Sequence, residues 1–487
     1  MKMDLIRKKA GQVEVVSDEQ PFDAPIIEKP IAPSTYYSSV NGAEARPING
    51  SERKSIWQRI GGTFVKGGAA LKHRNYRLFF TGQLISLIGT WMQNLAQSWL
   101  VLQLTNSAFA LGLVTALQFL PVMFLSLFGG LIADRLPKRT TLIVTQTSAM
   151  ILAFILALLT TLNIVQLWEV YVLAAALGLV NAIDMPVRQS FSPEMVGKED
   201  LMNAVALNSS IFNAARVVGP AVAGILIGVV GISPAFWLNG LSYIAVIVCL
   251  FMMRTSEFHL GAGRKPTGKI GKNLKEGLSY TFHNPAIYSV MVLIGIVGTF
   301  GINFNIWIPF LAKNYLHVGA DGYGVLMAGL GLGALATALT MAAQGSSPKH
   351  SSLLKGTVSF SAFGVLIALS PWFWLTLLGM CGLGASMITI MAKANTIVQL
   401  TAPDQLRGRV MSVYMMVFAG TTPIGGLFAG WLASWGGTPF SMVISMVLAL
   451  TAVPVVWLIL RRHHVQFQPS GEVEPMVKTS VYTAQTR

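Results

Sequence analysis

From Leu78 to Ala133 the chain carries no lysine, arginine, aspartate or glutamate, and uncharged runs of this kind recur along most of its length. A bilayer's hydrocarbon core is about 30 Å thick and takes roughly 20 apolar residues of helix, so the runs convert into a count of spans. Leu78 to Ala133 holds two, and Thr140 to Trp168 holds one. Val170 to Ile183 makes a fourth if its end reaches past Asp184, and Leu201 to Met253 gives two more, with Arg216 inside the first. The count resumes with one span in Gly277 to Ala312, one in Gly322 to Pro348, two in Gly356 to Ala392 and two in Val410 to Leu460. The expectation is an all-α membrane protein with twelve transmembrane helices. Composition agrees, with 53% hydrophobic and only 11% charged residues, where soluble domains carry about a quarter charged.

The cations set the orientation. With both termini cytoplasmic, every lysine and arginine except Lys313 and Arg216 falls on the cytoplasmic side, as the positive-inside rule requires. The net charge of +15 is then cation placement beside an anionic leaflet, and nucleic acid is not needed to explain it. Residues 1–52 are polar and mixed in charge, with no apolar core for a signal peptide, and read as a disordered cytoplasmic tail. Arg53 to Arg77 is basic and interleaved with Trp57, Ile60, Phe64 and Leu71, which suits either a helix on the inner membrane surface or a solvated linker. Cys249 and Cys381 both fall within spans and indicate neither a disulfide framework nor a metal site.

The two halves echo each other. Ile88-Gly89-Thr90-Trp91 on span 1 matches Val297-Gly298-Thr299-Phe300 on span 7, and Gly112 on span 2 answers Gly324 on span 8. Ala223-Gly224-Ile225-Leu226 on span 5 matches Ala429-Gly430-Trp431-Leu432 on span 11, and Arg188 sits at the end of span 4 as Lys393 does on span 10. Nearly constant offsets imply two six-helix halves in parallel topology, with a binding site between them near the midplane. The expected organisation is a cytoplasmic tail (1–72), a first half (73–254), a linker (255–284), a second half (285–462) and a second tail (463–487).

A few polar residues interrupt the apolar pattern. Arg216 is the only formal charge between Asp200 and Arg254, near the middle of span 5. Intramembrane charges face an interior or a wet cavity and usually mark function, so Arg216 is assigned to the transport path. The alternative is an arginine satisfied by carbonyls freed near Pro220. Span 1 carries Gln93, Asn94 and Gln97, span 5 Asn213, and span 7 Asn303 and Asn305; each is either cavity lining or glue between helices. Trp91, Trp99, Phe300 and Trp307 offer apolar walls or ordinary packing. Asp184 is the one carboxylate within a span away from its very end, which makes it a candidate for proton coupling; an ion pair with Arg188 four residues on is the alternative. On span 5, Ala215, Gly219 and Ala223 form one small-residue face and Pro220, Gly224 and Gly228 another, and Pro220 also frees a backbone carbonyl.

The span 2 to 3 loop, GGLIADRLPKRT, resembles the signature loop of the major facilitator superfamily at Gly130, Ala133, Asp134, Arg135, Lys138 and Arg139, with Pro137 where that signature has glycine. GTWMQNLAQSWLVLQLTNSAFALGL, DMPVRQSFSPEMV and LNSSIFNAARVVGPAVAGIL are similar to the branch that contains the enterobactin exporter and macrolide efflux proteins. The resemblance implies the major facilitator fold and gives Asp134, Arg135 and Arg139 the role of a latch on one transport state, near the start of span 11, with Gly130 in the same gating set. Gly219-Pro220-Ala221-Val222-Ala223-Gly224 resembles the superfamily's antiporter signature, which implies outward transport and adds Gly219, Pro220 and Gly224 to the gating set. The superfamily's span 4 arginine is absent.

The reading is a secondary active exporter of a small molecule such as a drug or siderophore, working by proton antiport as a monomer in a bacterial plasma membrane. Its partners are the substrate, protons and the lipid bilayer, with no nucleic acid, cofactor or metal. No nucleotide loop, Ser/His/Asp grouping or metal spacing points to an enzyme. An importer of the same fold and a membrane sensor without transport are the rival readings.

Overall fold

The protein is described here by a computed structural model covering residues 68–259, 270–344, 349–403 and 405–462, with 126–135, 270–274 and 343–344 described by backbone alone. The expected tail segments 1–67 and 463–487 and the middle of the expected linker, 260–269, lie outside the described residues.

Every regular element among the described residues is helical. The first six long segments are α1 (Arg74–Thr105), α2 (Ala108–Arg135), α3 (Lys138–Thr161), α4 (Leu167–Val196), α5 (Leu201–Val230) and α6 (Ser233–Phe251). The second six are α7 (Pro285–Tyr315), α8 (Ala320–Gln344), α9 (His350–Leu369), α10 (Phe373–Thr401), α11 (Arg407–Gly436) and α12 (Thr438–Arg462). Eleven of these are long and apolar enough to cross a membrane. The remaining one, α1, is diluted by Gln93, Asn94 and Gln97, yet its 32 residues reach about 48 Å at 1.5 Å per residue. As the span count required, α4 runs past Asp184. This is the twelve-helix, all-α membrane fold expected from the uncharged runs.

Turn chemistry repeats between the halves as well. Asn106 after α1 and His317 after α7 both take the left-handed conformation (φ 46° and 52°), and Gly231 after α5 and Gly437 after α11 both have positive φ (98° and 82°). Only glycine adopts that last conformation without a Cβ penalty, so each stops its helix at the same place in the repeat. Pro234 and Pro439 then occupy the first turns of α6 and α12, where a missing N–H costs nothing.

The packing is duplicated too. In the first half α1 packs on α5 and α6, α3 on α4 and α6, and α2 on α4; in the second α7 packs on α11 and α12, α9 on α10 and α12, and α8 on α10. The halves meet chiefly through two crossings, α5 with α8 and α2 with α11, with smaller contacts of α7 against α1 and α2.

Both crossings are made by glycine. A β-carbon on Gly224 would lie 2.8 Å from the Ala320 carbonyl oxygen and from the Gly324 Cα, and one on Gly324 would lie 2.6 Å from the Pro220 carbonyl oxygen. At the other crossing, a β-carbon on Gly430 would lie 2.8 Å from the Ala108 carbonyl oxygen, and one on Gly112 would overlap the Gly426 carbonyl. The two small-residue faces of α5 therefore serve different neighbours. Gly219 lies against Trp91 and Ile88 of α1, between the fully buried Ala215 and Ala223, while Pro220 and Gly224 lie against α8. These approaches sit toward the end carrying the α1–α2 and α5–α6 turns. The glycine contacts nearest the middle are Gly331 with Val217 and Gly420 with Met123. Beyond them, toward the basic end that carries the α2–α3 and α4–α5 turns, α5 exposes Met202 (79%), Val205 (50%) and Phe212 (46%).

Alanine at Gly112 or Gly324 has no room in this arrangement, and overpacking of this kind costs about 1–3 kcal/mol. With spin labels at the exposed Val229 and Val325, in a chain whose Cys249 and Cys381 are replaced, Gly324→Ala should shift the population toward longer α5–α8 distances, by about 5- to 150-fold in the ratio of states. An unchanged distance distribution would refute the crossing's role.

Candidate functional site

Arg216 stands where both halves meet. Its own carbonyl lies against Gly331 of α8, and it is also the carbonyl that Pro220, lacking an N–H, leaves without its helical donor. Its guanidinium carbon lies 5.7 Å from the ring centroid of Trp91 on α1, and Nη2 points at Met387 Sδ of α10, 3.5 Å away. Phe212, one turn earlier on α5, packs edge-on against the same Trp91 ring. Nε is buried and has no hydrogen-bond partner among the described residues. The guanidinium thus has a π-face and a thioether for company, and no ion pair with a carboxylate or bond to a carbonyl is among its described contacts. A ring face offers a cation about 0.5–2 kcal/mol, whereas an arginine at mid-membrane depth costs about 2.5–3.5 kcal/mol even on the mildest scale. The site is short of negative charge. Met387 and Trp91 complete it, and neither carries a sequence signal that separates it from ordinary packing.

The amides divide between the two roles. Gln93 is buried and its Oε1 accepts a 2.6 Å bond from Asn239 Nδ2 of α6, so it joins helices within the first half. Gln97 is buried one turn on, and Asn94 is half-buried. Asn213 bonds the Ser209 carbonyl of its own helix at 2.8 Å. On α7 the helix breaks between Gly301 and Phe304. There Asn303 is buried and donates back to the Thr299 carbonyl at 2.9 Å, while Asn305 is exposed. The candidate walls are mostly core: Trp307 is fully buried and donates to Ser441 of α12, and Trp99 stacks on Tyr323 across the α1–α8 contact. Asn239 was invisible as Gln93's partner because pattern places an amide on a face without naming what it faces.

Asp184 is buried inside the first half and fully engaged. Thr145 Oγ1 and Gln146 Nε2 of α3 donate to it at 2.7 and 2.8 Å, and Arg188 Nε donates at 2.9 Å. Arg188 also bonds Gln83 of α1. The ion pair weighed from spacing is therefore present, and it belongs to a network tying α1, α3 and α4 together.

Gly130, Asp134 and Arg135 end α2, and their side chains lie outside the described residues. Arg139 donates to the Leu250 and Phe251 carbonyls at 2.7 and 2.9 Å, capping the end of α6. Lys138 pairs with Glu194 of α4. On the other side of the expected latch, Arg409 near the start of α11 pairs with Glu276 of the linker helix Ile270–His283. Among the described residues no three His, Cys, Asp or Glu side chains cluster as metal ligands.

Comparison with known proteins fits this architecture. Residues 66–484 match the transmembrane secretion effector family. The staphyloferrin A transporter of Staphylococcus aureus is 24% identical over 405 residues, covering 81% of this chain and 98% of its own. The multidrug efflux pump Tap of Mycolicibacterium fortuitum is 25% identical, covering 76% and 92%. The enterobactin exporter EntS of Escherichia coli is also 25% identical, covering 82% and 95%. Among solved structures, a bacterial homologue of the human lysosomal transporter Spinster, inward-facing and unoccupied, superimposes with a TM-score of 0.65 at 13% identity, over 82% of this chain and 99% of that one. The chain belongs to the transmembrane secretion effector family of the major facilitator superfamily: it is a multi-pass membrane transporter, and not an enzyme.

Proposed function

We propose that the protein exports a small molecule bearing carboxylate, phenolate or carbonyl oxygens, by proton antiport and alternating access, as a monomer with its basic end in the cytoplasm of a bacterium. The observation that carries the reading is Arg216, a fixed cation at the junction of α1, α5, α8 and α10 whose Nε has no hydrogen-bond partner among the described residues. Its planar fork matches oxygen anions. With the basic end inside, the glycine crossings close the outer half, and the exposed Met202, Val205 and Phe212 lie on the cytoplasmic side, where an exporter receives its cargo. Relatives named for siderophore export and drug efflux support the direction.

Everted vesicles distinguish export from its rivals. Accumulation under an imposed proton gradient is expected; accumulation only in right-side-out vesicles would make the protein an importer, and binding without flux a sensor.

Arg216→Lys keeps the charge and loses the fork, and Arg216→Gln loses the charge. Both should fold and insert, with affinity for an anionic siderophore falling about tenfold or more in the glutamine variant, on the scale of one charge-assisted hydrogen bond. A depressed melting temperature with unchanged affinity in the same samples would make the arginine structural.

Asp184 is the proposed proton carrier, releasing Arg188 when protonated. Asp184→Asn should abolish uphill export while permitting downhill exchange. It also leaves Arg188 without its counter-ion, a loss worth about 3–5 kcal/mol in a buried pair, so transport is read alongside melting temperature. Uphill export at an undiminished rate would place coupling elsewhere.

The latch is proposed to act through Asp134, Arg135 and Arg139. Asp134→Asn should slow transport with expression and substrate binding near normal, and wild-type flux would remove it.

A further inference from the structure

Away from the central junction, α9 and α10 border a shallow, open pocket of about 320 Å³ toward the basic end. It contains two lysines, Lys355 of α9 and Lys393 of α10, together with Ser352 and Ser359. Its remaining walls carry no acidic side chain. Neither lysine forms an ion pair or hydrogen bond among the described residues, and the hydroxyls of Ser352 and Ser359 are likewise uncommitted; by contrast Arg409, Lys138 and Arg188 at the same end each have a carboxylate. Two ammonium groups and two hydroxyls able to donate to an oxyanion thus line one open pocket.

The depth is that of a headgroup. Lys355 lies five residues inside the start of α9 and Lys393 eight before the end of α10, or about 8 and 12 Å along the helices at 1.5 Å per residue. The outer face of α9 continues away from the pocket as an exposed apolar stripe, Val358 (47%), Leu366 (36%) and Leu369 (68%). Among the described residues that helix packs on α10 and α12 and meets α7 through His350 and Phe360, and Val358, Leu366 and Leu369 stay exposed, so the stripe faces the bilayer. Basic pockets between transmembrane helices at this level take anionic headgroups.

We infer that Lys355 and Lys393, with Ser352 and Ser359, form a phosphate site, occupied by the headgroup of an anionic phospholipid whose acyl chain lies along Val358 to Leu369. The site is separate from the transport path: its α10 residues are Ala385, Ser386, Thr389 and Lys393, whereas Met387 turns toward Arg216.

The test is native mass spectrometry of the full chain purified in detergent and titrated with phosphatidylglycerol, with phosphatidylcholine as the zwitterionic control. Lys355→Gln/Lys393→Gln should bind phosphatidylglycerol about thirtyfold more weakly than wild type, a factor of roughly five to six for each cation lost near an anionic headgroup. Lys355→Arg/Lys393→Arg should retain binding, and the lipid-free melting temperatures of all three should agree, so that a folding defect is recognised. A parallel thermal-shift titration with glycerol 3-phosphate reads the soluble source. Stabilisation of wild type but not of the glutamine variant by that ester, with no preference for phosphatidylglycerol, would keep the phosphate site and overturn its lipid occupant. Equal lipid affinity in wild type and the glutamine variant, with no response to the ester, would overturn the site itself.

Discussion

Helices in hydrocarbon gain nothing by hiding apolar side chains from one another, so what holds two of them together is the closeness of their backbones. This protein depends on that closeness at two places, Gly224 against Gly324 and Gly112 against Gly426 and Gly430. Contact of this kind is short-ranged and has no side chain to stretch, so it is either made or lost. Two rigid six-helix halves joined at such points can separate at one end without unravelling. The duplicated turns at Asn106 and His317, and at Gly231 and Gly437, keep each crossing helix in the register that presents its glycine to its partner.

Much of this was legible in the residues. The uncharged runs yielded the twelve helices because the bilayer admits few alternatives, and the weak repeat picked out Gly112 with Gly324 and Gly224 with Gly430, the residues that form the crossings. That Gly219 turns to α1 and Gly224 to α8 was not legible, since spacing defines faces and leaves their neighbours unnamed. The same limit hid the bond between Gln93 and Asn239, two amides on helices far apart in sequence. Lys355 read only as one more cation on the basic side and Lys393 as the repeat counterpart of Arg188; what sets them apart is that no acid is among the described residues lining the pocket, which is a property of the fold.

The two intramembrane arginines show how differently one residue type can be housed. Arg188 is matched by Asp184 and Gln83 inside one half, in a network whose members satisfy each other. Such an arrangement stiffens the half that contains it and moves as a body. Arg216 lies between the halves and, among the described residues, has neither a carboxylate nor a carbonyl to answer it. The first binds the helices of one half together for as long as Asp184 keeps its charge, and the second leaves a cation short of negative charge where the halves meet.

The scaffold is doubled but its charge is single. The repeat that pairs Gly219 with Gly425 and Gly224 with Gly430 sets Thr422 opposite Arg216, so only one half carries a cation at this depth. A charge held midway across a bilayer sits within the membrane's electric field, where a full crossing of one elementary charge amounts to about 2.3 kcal/mol per 100 mV. The empty carrier therefore presents a net positive charge to that field at its centre, and a carrier loaded with a monoanion presents none. In the export cycle proposed above, voltage would then act on the return of the empty carrier and leave the outward step of a monoanion nearly untouched.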